Sequence, residues 1–267
     1  MESGAGMNRP LRTVIIGSGN VASAVAPALE KAGAIDVMQV YSPTARHAGL
    51  LAAKLAHAEP VSEPGDVAVG AELYLVAVKD DAIATLAGTF GMRGGVWLHT
   101  SGGVDCRELA PVTADYGVFY PLQTFSKGVD VDFAGVPVFI EGSTVHAYAV
   151  AERLGRSLSE KVYQADGRRR SQLHAAAVFA CNFTNHMWAI ADDVLRRETG
   201  TDLTVLRPLL EETMRKALSM RPADGQTGPP RRGDRGVIER HKSLLKPDEA
   251  DIYELMSQHI MDYYERD

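Results

Sequence analysis

The sequence predicts an α/β fold: a doubly wound parallel sheet followed by an all-α C-terminal domain. Up to about residue 165, short β-branched runs alternate with helical patterns, which is typical of a parallel sheet covered by helices. From about Asp166 the strand patterns stop, and helical patterns continue to the end of the chain. We therefore expect a sheet domain over residues 11–165 and a helical domain over residues 166–267.

The individual elements follow from the spacing of apolar residues and from turn and cap signals. Strands are expected at 12–16, 36–41, 73–78, 96–100, 117–120 and 137–141, with a short edge strand near 161–163. Helices are expected at 21–32, 45–55, 81–87 and 145–154 in the first domain. In the second domain we expect an uninterrupted helix over 168–198, then helices to 220, over 235–245 and over 247–264. Gly200 is the expected stop of the long helix.

Composition restricts the classes of function. A chain of 267 residues with 45% hydrophobic and 23% charged residues is typical of globular proteins. Its net charge of -6 argues against binding to nucleic acid or an anionic membrane surface. Two cysteines, Cys106 and Cys181, make neither a disulfide framework nor a metal cluster, so no metal is expected.

The sequence shows no pattern typical of a membrane-spanning or secretory segment. No apolar run is long enough to span a bilayer. The Gly-rich start lacks the apolar segment of a secretory signal, so we expect a disordered extension over residues 1–10 and a cytoplasmic location.

A glycine turn joins the first expected strand to the first helix. It reads Gly17-Ser18-Gly19-Asn20-Val21-Ala22, the Gly-x-Gly-x-x-Ala pattern of a Rossmann-like dinucleotide fold. Gly17 would allow the tight turn, Gly19 would let the backbone approach a pyrophosphate, and the helix N-terminus would supply N–H groups. The alternative is a turn with a purely structural purpose.

The end of the second strand should select between NAD and NADP. An NAD site has an acidic residue there for the ribose 2′-hydroxyl, but this chain has Ser42, Thr44 and Arg46 instead. Hydroxyls and a guanidinium suit a 2′-phosphate, so NADP is the expected cofactor. The alternative, that Ser42 to Thr44 only cap the next helix, is compatible with this.

Two further strand ends should flank the cofactor, because ligands of open α/β sheets bind beyond the carboxyl ends of the strands. One end supplies Val78 and Lys79. The other supplies Thr100, Ser101 and Gly102, whose small side chains would let nicotinamide and substrate approach. The neighbouring His99 fits a structural histidine at a strand end better than an acid.

The long helix and a late loop concentrate polar groups. At 3.6 residues per turn His174, Val178, Cys181 and Asn185 share one face, with Asn182 at its edge, and a catalytic pocket would explain them. The alternative is that His174 and Asn185 form hydrogen bonds inside the core.

The later loop contains Thr227, Gly228, Arg231 and Arg232 in a Gly/Pro-rich context. Its arginines can bind a substrate carboxylate, and a solvated connection between helices is the alternative.

These segments together resemble a bacterial family of candidate NADP oxidoreductases that join a Rossmann-like domain to an uncharacterised helical domain. The resemblance rests on the residues 17–22, 78–83, 99–102, 120–125, 173–186 and 226–229. It implies a homodimer built on the helical domain and places Gln123 among the substrate-binding residues. Pyrroline-5-carboxylate reductase, ketopantoate reductase and 6-phosphogluconate-type dehydrogenases are more distantly similar, but the lysine that the last two carry on the long helix is missing here.

The expected function is an NADP-dependent oxidoreductase that transfers hydride to a small carbonyl or imine substrate bearing a carboxylate. His174 is the expected proton donor because its ordinary pKa near 6.5 suits proton transfer near neutral pH. Asn182 and Asn185 would orient the substrate. The alternatives are a ketopantoate reductase-like 2-keto acid reductase and a non-catalytic NADP(H)-binding sensor.

Overall fold

Residues 9–265 are described by the structure, a computed structural model. Of the extension expected over residues 1–10, residues 1–8 lie outside this range. The first part of the chain forms one sheet of eight strands. In chain order these are β1 (Leu11–Ile16), β2 (Ile35–Tyr41), β3 (Glu59–Val61), β4 (Leu73–Val76), β5 (Val96–His99), β6 (Tyr116–Pro121), β7 (Val138–Gly142) and β8 (Val162–Gln164).

The strand order is β3-β2-β1-β4-β5-β6-β7-β8, and its first six members have the order of a doubly wound nucleotide-binding fold. These six strands pair in parallel, as expected. The pair β6–β7 is antiparallel, because the loop 122–137 returns the chain without a crossover helix. The order reverses between β1 and β4, so the carboxyl ends of these strands open the crevice in which ligands bind.

Among the described residues, five α-helices accompany the sheet. They are α1 (Asn20–Lys31), α2 (Ala45–Ala52), α3 (Asp80–Phe90), α4 (Val145–Leu158) and α5 (Gly167–Ala177). Helices α1, α2 and α4 pack their apolar side chains against one face of the sheet. Helix α3 packs on the opposite face, where Phe90 contacts Trp97 and Trp97 stacks on Tyr74 at 4.3 Å between ring centroids. Both faces of the sheet are therefore covered, as its continuous apolar strands require.

The chain forms two compact units that divide between Val178 and Phe179. Helical residues continue from Gly167 to Thr199, as expected, but the segment Val178–Phe183 is π-helical rather than α-helical. The hydroxyl of Thr184 donates to the carbonyl of Phe179, five residues earlier, at 3.0 Å. A π-helical turn contains more residues than an α-helical turn, so the 3.6-residue spacing that placed His174 and Asn185 on one face does not continue through it.

The second unit consists of helices. They are α6 (Thr184–Thr199), α7 (Arg207–Ser219), α8 (Pro229–Arg232), α9 (Arg235–Lys242) and α10 (Pro247–Tyr264). Gly200 ends α6 with a left-handed φ of 69°, as expected. The guanidinium of Arg197 binds both carboxylate oxygens of Glu249, at 3.0 and 2.8 Å, which ties α6 to α10. No helix in the part of the chain described here has the length and apolar character needed to cross a bilayer.

Candidate functional site

The two glycines of the first turn have different surroundings. Gly17 has a φ of 112°, and a Cβ there would collide with the carbonyl oxygen of Ala77. Its N–H donates to the carbonyl of Tyr41 at 2.8 Å, so the turn joins the ends of three neighbouring strands. A Cβ on Gly19 would meet no atom within 4 Å. The fold itself therefore requires Gly17, whereas Gly19 leaves open space beside the backbone.

The N-terminus of α1 begins at this open space. Gly19 is its N-cap, without a side-chain cap, and the first turn contains no acidic residue. The first N–H groups of a helix, here from Asn20 and Val21 onward, have no intrahelical partner, and they favour an anion. The side chain of Asn20 is already occupied, because it donates to the carbonyl of Phe125 at 2.9 Å. Only its main chain is free to face a phosphate.

The end of β2 presents the groups expected to select NADP. Ser42 is buried, and its N–H donates to Val61 at 3.1 Å. Thr44 is the N-cap of α2, but its hydroxyl makes no cap hydrogen bond. Arg46 is exposed in the first turn of α2, and no carboxylate among the described residues pairs with it. No hydrogen bond within the described residues uses the hydroxyls of Ser42 and Thr44 or the guanidinium of Arg46, so all three stay available to a 2′-phosphate.

The ends of β4 and β5 lie beside the glycine turn. The side chain of Val78 reaches to 3.0 Å from where a Cβ of Gly17 would stand, and Lys79 is the exposed N-cap of α3. The N–H of Thr100 donates to Val76 at 3.0 Å, and its side chain is buried.

Ser101 shapes the loop that follows β5. Its Oγ accepts hydrogen bonds from the N–H groups of Gly103 and Val104, both at 3.1 Å, and the side chain is buried. The hydroxyl therefore folds its own turn as well as lining this end of the sheet.

A tyrosine and a histidine meet next to this loop. The hydroxyl of Tyr120, at the end of β6, lies 2.9 Å from Nδ1 of His174 on α5. Gly102 makes room for them, since a Cβ there would come within 2.6 Å of Cζ and 2.9 Å of Oη of Tyr120. Burial, and secondarily the charge of Asp80, raises the pKa of Tyr120 to about 12. The phenol is therefore protonated at neutral pH and can donate or accept a hydrogen bond.

Helix α5 is fixed by a buried arginine one turn before His174. The side chain of Arg170 is fully buried and donates to the carbonyls of Ala165 at 3.1 Å and Val104 at 2.9 Å. It also pairs with the carboxylate of Glu141 on β7. These bonds join α5, β7 and the loop after β5, and thereby hold His174 over Tyr120.

His99 has the burial expected of a structural histidine, the interpretation favoured from the sequence, although its Nε2 has no hydrogen-bond partner among the described residues. It is fully buried at the end of β5, and its Nδ1 accepts from the N–H of Ser101 at 3.2 Å. Burial, followed by the charge of Arg170, lowers its pKa to about 3. The imidazole is therefore neutral at physiological pH and carries its proton on Nε2.

Three further predicted site residues, Gln123, Asn182 and Asn185, are exposed. Gln123 is exposed on the loop 122–137, and its Oε1 accepts from the N–H of Thr124 at 2.8 Å. In the second unit Asn182 and Asn185 are exposed on the helix. Their assignment to substrate binding remains a prediction.

The late loop also lies in the second unit. Thr227 and Gly228 line a largely apolar cavity of about 540 Å³. Arg232 pairs with Asp234 at 2.8 Å, and Arg231 stacks over the ring of Tyr264 at 4.4 Å from its centroid. Arg232 is therefore partly engaged within its own unit, and a carboxylate ligand would have to share it.

Two residues of the site were missed by reasoning from the sequence. Tyr120 closes an expected strand, and the rule that ligands bind beyond strand ends pointed to it as much as to Thr100. Arg170 sits in the run Arg168 to Arg170, which resembles a solvated face. Its acceptors lie on distant segments, so no local pattern indicates its burial. Among the described residues, no group of three histidine, cysteine or acidic side chains is arranged to hold a metal ion.

Comparison with known proteins matches each half of the chain to a family model. Residues 2–123 match a Rossmann-like domain, and residues 136–260 match a Domain of unknown function (DUF2520). The crystal structure of a candidate NADP oxidoreductase from Bacteroides fragilis is 39% identical, with a TM-score of 0.89 over 95% of this chain and 98% of that one. The chain belongs to the same family.

Members of this family join a Rossmann-like domain to a helical domain, as the sequence predicted. More distant structures share the fold. One is a reductive aminase from Aspergillus terreus in complex with NADPH and ethyl levulinate, at 16% identity and a TM-score of 0.67 over 96% of this chain and 94% of that one. Another is a Plasmodium falciparum pyrroline carboxylate reductase with NADP bound, at 12% identity and a TM-score of 0.54 over 97% and 100% of the two chains. The comparison with curated proteins finds no match.

Proposed function

We propose that this protein is an NADP-dependent oxidoreductase that reduces a small carbonyl or imine substrate bearing a carboxylate. The observation that carries the proposal is the pairing of Tyr120 with His174 at the carboxyl edge of the sheet. The open Gly19 turn lies at the same edge. A nucleotide site and a proton-transfer pair thus share one edge of one unit. The candidate oxidoreductase from Bacteroides fragilis supports the same class of activity.

The residues at the turn fit a dinucleotide phosphate. The space beside Gly19 and the N-terminus of α1 would hold the pyrophosphate, and Ser42, Thr44 and Arg46 would hold the 2′-phosphate. Thr100 to Gly102 would form the wall of the nicotinamide pocket. When bound, NADPH supplies the hydride, and the protein positions it and stabilises the developing charge.

His174 supplies the proton. In its protonated form Nδ1–H donates to the oxygen of Tyr120, which leaves Nε2–H as the acid for the alkoxide or amine of the product. After transfer, Nδ1 keeps its proton and still donates to the oxygen of Tyr120, while Nε2 is left as the acceptor for the next proton from solvent, so the same contact serves both protonation states. The high pKa of Tyr120 keeps its proton in place throughout this exchange.

The helical domain from residue 166 onward binds the substrate in this proposal. Asn182 and Asn185 orient it, and Gln123 is a further substrate-binding residue. Thr227, Gly228 and Arg232 of the late loop bind the substrate as well, with Arg232 attracting the carboxylate. The reductive aminase with the same fold was crystallised with NADPH and a keto ester, which makes keto acids and their imines the first compounds to test.

The protein acts as a homodimer in the cytoplasm in this proposal. The second unit buries few apolar side chains: Ile238 and Met261 are the buried ones among its described residues. Large apolar side chains that include Phe179, Leu209 and Leu255 are exposed. Exposed apolar surface of this extent is typical of an interface, and a second copy of the helical unit would cover it.

The test is NADPH oxidation in the presence of a panel of 2-keto acids, cyclic imines, and ketones mixed with amines. We expect turnover with at least one carboxylate-bearing member and slower turnover with NADH. Tight NADPH binding with no turnover across the panel would contradict the enzymatic part of the proposal. Absence of NADPH binding would contradict the proposal as a whole.

A further inference from the structure

A small pocket opens beside the glycine turn, away from the Tyr120–His174 pair. It has a volume of about 190 Å³ and lies between α1, α2 and the loop 122–137. Its polar lining residues are Ser18, Ser23, His47, Lys54 and Lys127, and Leu50 and Leu51 contribute apolar surface. No carboxylate of the described residues lines it, so the pocket carries an uncompensated positive charge.

The two lysines are not used elsewhere. Within residues 9–265 neither Lys54 nor Lys127 makes a salt bridge or a side-chain hydrogen bond, and His47 makes only main-chain contacts. Other cations of this unit do have partners; Arg156, for example, pairs with Glu152 at 2.8 Å. Like charges around one small pocket repel each other unless an anion joins them. The pocket therefore has the charge and the donors of a phosphate site.

The loop that carries Lys127 is fastened at this place. The side chain of Asn20 donates to the carbonyl of Phe125 at 2.9 Å. The ring of Phe125 stacks on Phe133 at 6.0 Å between centroids, and Phe133 is buried in the core under α1. Lys127 follows this anchor by two residues, and it lines the pocket together with Ser18, which lies between the two glycines of the turn.

We propose that Lys127, together with Lys54 and His47, binds the 2′-phosphate of the cofactor and so determines the preference for NADPH. His47 directly follows Arg46 on α2, and Lys54 lies two residues beyond the end of the same helix. The pyrophosphate, by contrast, is expected at the N–H groups of α1. Because His47 lines the pocket and directly follows Arg46, the pocket begins at the first turn of α2, and Lys127 adds a cation from a distant loop. This inference rests on the proposed use of NADP.

The experiment compares Lys127→Met with Lys31→Met, a matched loss of one charge at an exposed α1 lysine that has no salt bridge among the described residues. Dissociation constants of NADPH and NADH are measured by titration calorimetry for both variants and the unaltered protein. Loss of a charge-assisted phosphate contact should weaken NADPH by about tenfold or more in Lys127→Met. NADH should change by less than about twofold, and Lys31→Met should leave both values unchanged.

A second pair of ligands separates the two phosphates of the cofactor. 2′,5′-ADP should bind more weakly to Lys127→Met than to the unaltered protein, while 5′-AMP should bind equally well to both. Equal weakening of NADPH and NADH would place Lys127 on the pyrophosphate and overturn the proposal, and so would unchanged NADPH binding. If the unaltered protein binds NADPH no better than NADH, the assignment of NADP itself fails, which is a distinct result.

Discussion

Replacing Gly19 by valine tests whether the glycine turn serves a ligand or only the fold. At Gly19 the backbone has φ of -75° and ψ of -170°, an extended conformation that every residue adopts. A Cβ would meet no atom within 4 Å, so valine fits the folded chain without displacing a neighbour. Removing a glycine also lowers the entropy of the unfolded chain. We expect the free energy of unfolding to change by less than about 1 kcal/mol.

Nucleotide binding should respond in the opposite way. The branched side chain would occupy the space through which a pyrophosphate approaches the N-terminus of α1, and losing one such hydrogen bond costs about 1.5–3 kcal/mol. Gly19→Val should therefore weaken NADPH by roughly tenfold or more. Calorimetric titration measures this, and thermal unfolding of the same sample shows whether the protein remains folded.

Gly17→Ala is the matched control. A non-glycine residue at a φ of 112° costs about 1–3 kcal/mol, and its Cβ would in addition collide with Ala77. At roughly 2–4 °C per kcal/mol, the melting temperature should fall by several degrees or more. Undiminished NADPH binding by a folded Gly19→Val protein would refute the assignment of this turn to a nucleotide. Equal destabilisation by both substitutions would refute the distinction between the two glycines.

The other predictions concern specificity, catalysis and pH. Arg46→Ala should weaken NADPH by about tenfold or more and leave NADH nearly unchanged in the same titrations; equal losses would remove Arg46 from the 2′-phosphate site. His174→Gln should keep NADPH affinity but lower kcat by about 10²–10⁴-fold and remove one limb of the pH profile, whereas a variant that only melts earlier would make His174 structural. Because the pKa of His99 is lowered to about 3, the unfolded chain binds an extra proton between pH 6.5 and about 3, so the contribution of His99 to stability is full above pH 6.5 and is lost as the pH falls through this range. In urea titrations this contribution should fall by about 1.4 kcal/mol per pH unit within the range, and that part of the slope should disappear in His99→Gln.

The sheet could be predicted from the sequence because its determinants are local. The glycine turn and the apolar runs are contiguous patterns, and they place β1, β2, β4 and β5 within a few residues of their observed ends. Strand β3 escaped because it has three residues, one of them Pro60, and no alternation can be read over that length. The sequence does contain a signal for the antiparallel direction of β7. No helical pattern lies between Tyr120 and Pro137, and a parallel connection needs a crossover segment of that kind.

The candidate site was less predictable because its positions depend on distant segments. Arg170 is buried through acceptors on Val104 and Glu141, 66 and 29 residues away, which no window of sequence contains. The π-helical segment likewise has no local sequence signal other than Thr184, whose hydroxyl donates to the carbonyl of Phe179. His174 was found as an unusual polar group in an alanine-rich helix. Its partner Tyr120 was not, because a tyrosine at the end of a strand is ordinary.

The structure also separates residues that the fold uses from residues that it leaves available. Gly17 and Gly102 are explained by Ala77 and Tyr120, which occupy the space a side chain would need, and Ser101 is explained by its own turn. Such residues would be required even in a protein without a ligand. Gly19, Thr44, Arg46 and Lys127 have no comparable explanation within residues 9–265, since no contact, cap bond or salt bridge of the described chain accounts for them. Gly19 belongs to the glycine turn, Thr44 and Arg46 to the start of α2, and Lys127 to the small pocket that Ser18 and α2 also line. An anionic ligand at this edge of the sheet would account for them together.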